Sequence, residues 1–271
     1  MKITGLSRVG AFIVLAAIAA ALVGPLVVSS DANAQELPLR LTGTSRAHPF
    51  GLDELGRDIL ARVLAGARIS LLVGLVVVSV SASAGILLGS LAGYLGGWVD
   101  EAISRATDVL LAFPGILLAI ALVAVLGPSL TNVVLALAVI GWVSYARLVR
   151  GQVLRTRELE FVQAARALGA DTWRVLLRHV IPTTLPAVLV QATLGMAGAI
   201  IAEASLSFLG LGVQPPTATW GNMLERAYSY IDKGVPWLWF FPGMLILLTV
   251  LSINFVGDGL RDALDPRGRA V

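Results

Sequence analysis

Few residues in this sequence are equipped for chemistry. The 271 residues contain two histidines, His48 and His179, and no cysteine. Disulfides and thiolate metal sites are therefore excluded. A zinc hydrolase helix needs paired histidines with a glutamate beside them, and the two histidines are far apart in the chain. A serine–histidine pair meets the same shortage. The only lysines are Lys2 and Lys233, and neither follows a glycine, so there is no Gly-Lys-Ser/Thr phosphate loop. If ATP drives this protein, a separate chain must hydrolyse it. Carboxylate catalysis at membrane depth would need two acids there. Asp100, Asp108 and Asp258 only flank apolar segments, which leaves Glu203 as the single candidate. An intramembrane enzyme thus lacks its parts. An ion-coupled secondary transporter, the other alternative, usually keeps ionisable groups inside its spans, and these are nearly free of charge.

The elements that carry these residues belong in lipid. Hydrophobic residues make up 57% and charged ones 14%, against about 25% charged in soluble domains; mean hydropathy is +0.85. A span needs about 20 mostly apolar residues. Charge-free stretches predict six: 9–30, 69–99, 109–126, 132–146, 180–202, and one within 234–257. Gly127-Pro128-Ser129 separates the third from the fourth by turn chemistry. Trp237, Trp239, Phe240 and Phe241 read as interfacial anchors. The expected fold is all-α and polytopic, with residues 1–68 as a first span plus external segment and 69–271 as the core. Alternate connections carry 13 and 7 Lys+Arg. The positive-inside rule then places both termini and the 147–178 connection in the cytoplasm. Ala32-Asn33-Ala34 resembles a signal-peptidase site, but the preceding apolar run is longer than a typical signal core, so it is read as an uncleaved span. Gly85, Gly89, Gly93 and Gly97 share one helix face and predict close approach of a neighbouring backbone, either as ordinary helix packing or as a face that slides during a conformational cycle.

The connection between the fourth and fifth spans is the most informative segment. Glu158 and Glu160 open a helix, where the dipole favours acids. It continues through Phe161, Val162, Ala164, Ala165 and Leu168 and ends at Gly169. Asp171 caps a second helix. Its residues Trp173, Leu176, Leu177 and Val180 predict one apolar stripe, with Arg174 and Arg178 facing away. Periodicity alone allows two readings: an amphipathic hairpin lying on anionic lipid, or a docking element whose small alanines admit another protein.

Gln163-Ala164-Ala165-x-x-x-Gly169 followed by Ile181-Pro182 resembles the EAA loop of binding-protein-dependent ABC importer permeases. Gln163 stands where that pattern has Glu, His179 where it has Ile, and Ile181 where it has Leu, so any ion pair made by the Glu is lost. Two more segments resemble the oligopeptide/dipeptide/nickel permeases, C-type subunit. One is His48-Pro49-Phe50-Gly51-x-Asp53-Glu54-Leu55-Gly56-Arg57-Asp58, with Arg62 and Gly66 to Leu71 after it. The other runs from Glu203 to Gly212, followed by Pro215-Pro216 and Trp220-Gly221. The tail from Gly257 to Asp262 also fits.

The resemblance implies a type I importer permease with its coupling loop at about 155–187. The coupling helix would use Phe161, Gln163, Ala164, Ala165, Arg166, Ala167, Leu168, Gly169 and Ala170 in a groove of an ATPase subunit. It implies no cofactor in this chain, with ATP and Mg held by the ATPases. Its implied partners are a second permease, two ATPases, an external solute-binding protein and membrane lipid, with no nucleic acid, in a bacterial inner membrane. Glu203, Ser205 and Ser207 become gate or pathway candidates. Asp53, Glu54, Arg57 and Asp58 become docking candidates on the outer face. Tyr228, Tyr230 and Trp237 line the outer opening or anchor it in the interface. The substrates implied are di- and oligopeptides or small solutes such as nickel chelates.

Overall fold

The computed structural model describes residues 5–28 and 30–264. Among them there is no strand, only an isolated bridge between Leu52 and Asp58. The chain runs α1 (Gly5–Val27), α2 (Ile59–Leu95), α3 (Gly97–Leu111), α4 (Gly115–Leu126), α5 (Leu130–Thr156), α6 (Glu160–Ala167), α7 (Thr172–Val175), α8 (Ile181–Phe208), α9 (Trp220–Tyr228) and α10 (Trp237–Leu264). In lipid a backbone must bond to itself, which makes the apolar runs helical. Polar caps fix where they begin. Asp58 accepts from the Ala61 amide at the start of α2, and Ser129 from Asn132 at the start of α5. Thr219 and Asn222 cap α9 reciprocally.

Among the described residues five helices are long and apolar enough to cross a membrane, or six if α3 and α4 count as one broken span. The six-span, all-α expectation therefore holds, with two corrections. The second span begins at Ile59 rather than at 69, because Arg62 and Arg68 find oxygen partners and need no loop. Arg62 bonds the Ala32 carbonyl, and Arg68 bonds those of Ala21 and Leu22. The boundary expected at 68/69 thus falls inside a continuous helix. The third span is not straight: α3 and α4 meet at 87° across Phe113-Pro114. Proline removes a donor and disfavours helix in the residue before it. Alone, the 12 residues of α4 rise about 18 Å, short of the roughly 30 Å hydrocarbon core.

The most extensive helix contact is α2 with α5. The expected glycine face produces it at three of its four positions. A Cβ on Gly85 would strike Tyr145 and Ala146, one on Gly89 would strike Ala146, and one on Gly93 would lie 2.9 Å from the Arg150 carbonyl oxygen. Gly97 opens α3 at φ +56 and has open space around it, so it serves the chain reversal instead. Helix α8 packs on α2 and α10, and α1 on α10. Segment 30–58, α9 and the start of α10 lie at one end of the bundle. Helices α3, α6 and α7 lie at the other. A Cβ on Gly259 would meet Ser7, so the start of α1 and the end of α10 also share the α6 end, as an even number of crossings requires. Lys2, Arg267 and Arg269, counted above for orientation, lie outside the described residues.

Candidate functional site

The chain leaves α5 at Arg157, whose guanidinium bonds Glu158 and the Gly93 carbonyl in the last turn of α2. Helix α6 is amphipathic and short, and eight residues do not hold a helix in water by themselves. Three features hold it here. Val162 is fully buried in a cluster with Val149, Val153, Val175, Leu176 and Val180. The Gly169 amide bonds the Arg166 carbonyl and the Ala170 amide bonds the Ala165 carbonyl, which is the paired C-terminal cap that a glycine at φ +83 permits. Arg166 lies 4.9 Å from the Tyr94 ring centroid and donates to its hydroxyl. Asp171 then caps α7 through the Trp173 and Arg174 amides.

One expectation about this loop fails. Leu176 and Val180 are buried, but Trp173 and Leu177 are 55% and 60% exposed. Residues Leu176–Val180 form a wide π-turn, so the inward face shifts to Val175, Leu176 and Val180. The outward face of the loop keeps Phe161, Leu168, Trp173 and Leu177 exposed, Leu168 at 89%. Arg155, Arg166, Arg174 and Arg178 of the same loop are exposed too. Gln163, Ala164 and Ala167 are exposed as well, while Ala165 and Ala170 are half-buried against the core. An exposed apolar face with arginines beside it, at the end of the bundle, suits a docked protein or an anionic lipid surface.

Glu203 lies near the opposite end and is fully buried. Ser207 donates to it at 2.7 Å and Ser70 at 3.3 Å, and Thr219 bonds it too. The carboxyl therefore joins α8, α2 and the cap of α9. Ser205 is on a different face of the helix and donates to the Ile201 carbonyl. Ser207 is buried with Glu203.

The external segment is an interior network rather than a solvated cluster. Asp53, Arg57, Asp58 and Arg62 are all buried. Arg57 bonds Asp53 at 2.6 Å and Glu54 at 3.0 Å, Arg226 reaches Glu54 at 3.1 Å, and His48 meets Asp58 at 2.9 Å. These side chains tie segment, α2 and α9 together. A surface for docking would be made by their outer neighbours. Trp237 is half-buried, donating to the Leu52 carbonyl, and Phe50 stacks on Phe241. Tyr228 is 66% exposed and edges Phe208, and Tyr230 packs on the α2–α9 cluster and under Lys233.

A family model described as "Binding-protein-dependent transport system inner membrane component" matches residues 85–270, which contain the whole α6 loop. The chain belongs to this family. The permease is 46% identical over 267 residues to the dipeptide transport system permease protein DppC of Alkalihalophilus pseudofirmus, covering 98% of this chain and 88% of that one. It is 51% identical over 225 residues to the glutathione transport system permease protein GsiD of Escherichia coli, covering 83% and 74%. A chain of the MetNI methionine ABC transporter, in an inward-facing structure, matches with a TM-score of 0.57 at 20% identity, over 75% of the permease and 96% of that chain. That likeness is one of fold.

Sequence reasoning missed several of the permease's functional neighbours. Ser70, Thr219 and Arg226 carry no local signature; only the folded arrangement brings them to Glu203 and Glu54. Asp100 and Asp108 pair with Arg150 and Arg147, fastening α3 along α5 near the α6 end. Polar residues Asp100, Ser104 and Asp108 at four-residue spacing were a signal for that amphipathic helix. It was obscured by treating residues 109–126 as one apolar run.

Proposed function

We propose that this ABC importer permease forms half of a translocation pathway for di- or tripeptides and related small solutes. A second permease would form the other half, and two separate ATPase subunits would bind ATP and Mg. An external binding protein would deliver substrate to the end formed by segment 30–58 and α9. The α6 end faces the cytoplasm in this reading, together with both termini. The names of the dipeptide and glutathione relatives support the peptide class. The arginine bias between spans supports the orientation.

The observation that carries the reading is the seating of α6. It is capped, pegged by Val162 and clasped to α2 by Arg157 and Arg166, while its other face is apolar and exposed. A helix attached that firmly passes a push from an ATPase into α2 and α5. Glu203 with Ser207 is assigned to the outer gate, where it holds α8 against α2 and α9. The test is reconstitution of the full complex with Ala165→Arg, which places a bulky cation on the half-buried face of α6. The expected result is retained assembly of the permease pair, with ATP hydrolysis no longer stimulated by loaded binding protein. Normal stimulation in that variant would defeat the assignment.

A further inference from the structure

A cavity of about 250 Å³ lies where α2, α4, α5 and α8 meet, and nothing above uses it. Its depth is informative. Ser81, Gly141 and Gly195 line it from near the middle of α2, α5 and α8, so it sits halfway across the bundle. Its walls have two properties. No charged side chain lines it, yet Ser81, Ser144, Tyr145 and Gln191 all do. Four hydrogen-bonding groups at mid-depth are costly against lipid, because each needs a partner there. Gly141 and Gly195 make room for the Ser81 and Tyr145 hydroxyls, and Gly198 leaves open space in which a ligand can approach the backbone.

The polar groups are also weakly engaged. The Ser81 hydroxyl is 3.5 Å from the Ala138 carbonyl, and the Tyr145 hydroxyl is 3.5 Å from that of Gln191. Good O–H···O bonds are about 2.5–3.0 Å, so both hydroxyls gain by turning to a better acceptor. Donors and acceptors without charge, in a cleft just under the ~300 Å³ typical of small-molecule sites, match amide groups and not a charged terminus.

We propose that this cavity is a transient seat for the uncharged backbone of a short peptide midway through crossing. The proposal rests on the importer reading above. A neutral, loosely bonded seat meets the needs of a carrier, which must hold its substrate and then release it. Contacts to backbone amides are shared by all peptides, which leaves side-chain selection to other parts of the system.

Gly198 lines the cavity, and a Cβ built there meets nothing within 4 Å. Gly198→Leu therefore fills the space without pushing on the backbone. In proteoliposomes holding the complete complex, uptake of a tripeptide is expected to fall at least tenfold, and uptake of a dipeptide by less. Gln191→Leu, which removes hydrogen bonds without adding bulk, is expected to raise the KM for both several-fold. Equal uptake of both peptides by Gly198→Leu and wild type would overturn the proposal. So would loss of the second permease from purified Gly198→Leu complexes, which would make the cavity a seat for a partner helix. Absence of ATP-dependent peptide uptake in the wild-type complex would instead remove the importer reading beneath it.

Discussion

Val162→Ala isolates the seating of α6 from its docking surface. Val162 is fully buried beneath the helix, between Val153 and the Val175–Val180 segment, so the change leaves the exposed face untouched. It removes two carbons from a packed site. At about 0.8 kcal/mol per buried methylene the transfer loss is roughly 1.6 kcal/mol, before any cost of the residual cavity. Since 1.4 kcal/mol is tenfold, the undocked fraction of α6 rises about fifteenfold. Two measurements follow the effect. Hydrogen exchange at the Gly169 and Ala170 amides, which close the cap, accelerates by that factor if they open with the helix. Peptide transported per ATP hydrolysed falls in proteoliposomes, because some strokes push a helix that is not attached to α2. Accelerated exchange with unchanged stoichiometry would refute the claim that seating transmits the stroke. Unchanged exchange would show that Val162 does not set the seating at all.

Two further outcomes test the opposite end. Arg57→Ala strips the buried Asp53 of its closest cation, leaving Arg62 at 3.6 Å; losing one partner of a buried pair costs about 3–5 kcal/mol. Limited proteolysis is expected to cut within 30–58 in the variant and not in wild type, and equal resistance would count against the network. Glu203→Gln keeps an acceptor for Ser207, and the hydroxyls of Ser70 and Thr219 can rotate to accept from the amide. The gate reading expects intact assembly with uptake kinetics changed several-fold, and unaltered kinetics would leave Glu203 a purely structural tie.

What the sequence disclosed followed from costs paid locally. A charge in lipid is expensive, so charge-free runs located the spans. Gly169 and Asp171 marked helix ends because their backbone and side-chain chemistry acts within a few residues. The glycine face at 85, 89 and 93 was legible because its period belongs to one helix. The break at Phe113-Pro114 was also written locally, but hydropathy counts residues and does not register a bend. The loop stripe was misplaced because a π-turn changes the period on which a 3.6-residue count depends. The partners of Glu203 were illegible for a different reason: Ser70 lies 133 positions away, and a lone serine in an apolar helix has no distinguishing pattern. The burial of the charges at 53–58 was illegible because their partners include Arg62 and Arg226, which belong to other elements.

Helix α2 connects these observations into one mechanical route. It is 37 residues long, which at 1.5 Å per residue is about 55 Å, more than a membrane core requires. One end is clasped to the α6 loop through Gly93 and Tyr94. Towards the other end, Asp58, Arg62 and Ser70 belong to the external network and the Glu203 tie. Between them Gly85 and Gly89 press against Tyr145, Ala146 and Val149 of α5, while Val78, Ala82 and Ile86 pack beside them. A continuous helix held at both ends and packed closely on α5 carries a displacement along its length. In the importer reading a push on α6 would travel along α2 to Ser70, and the bond from Ser70 to Glu203, at 3.3 Å the longer of the two serine contacts, is the one such a movement would strain first.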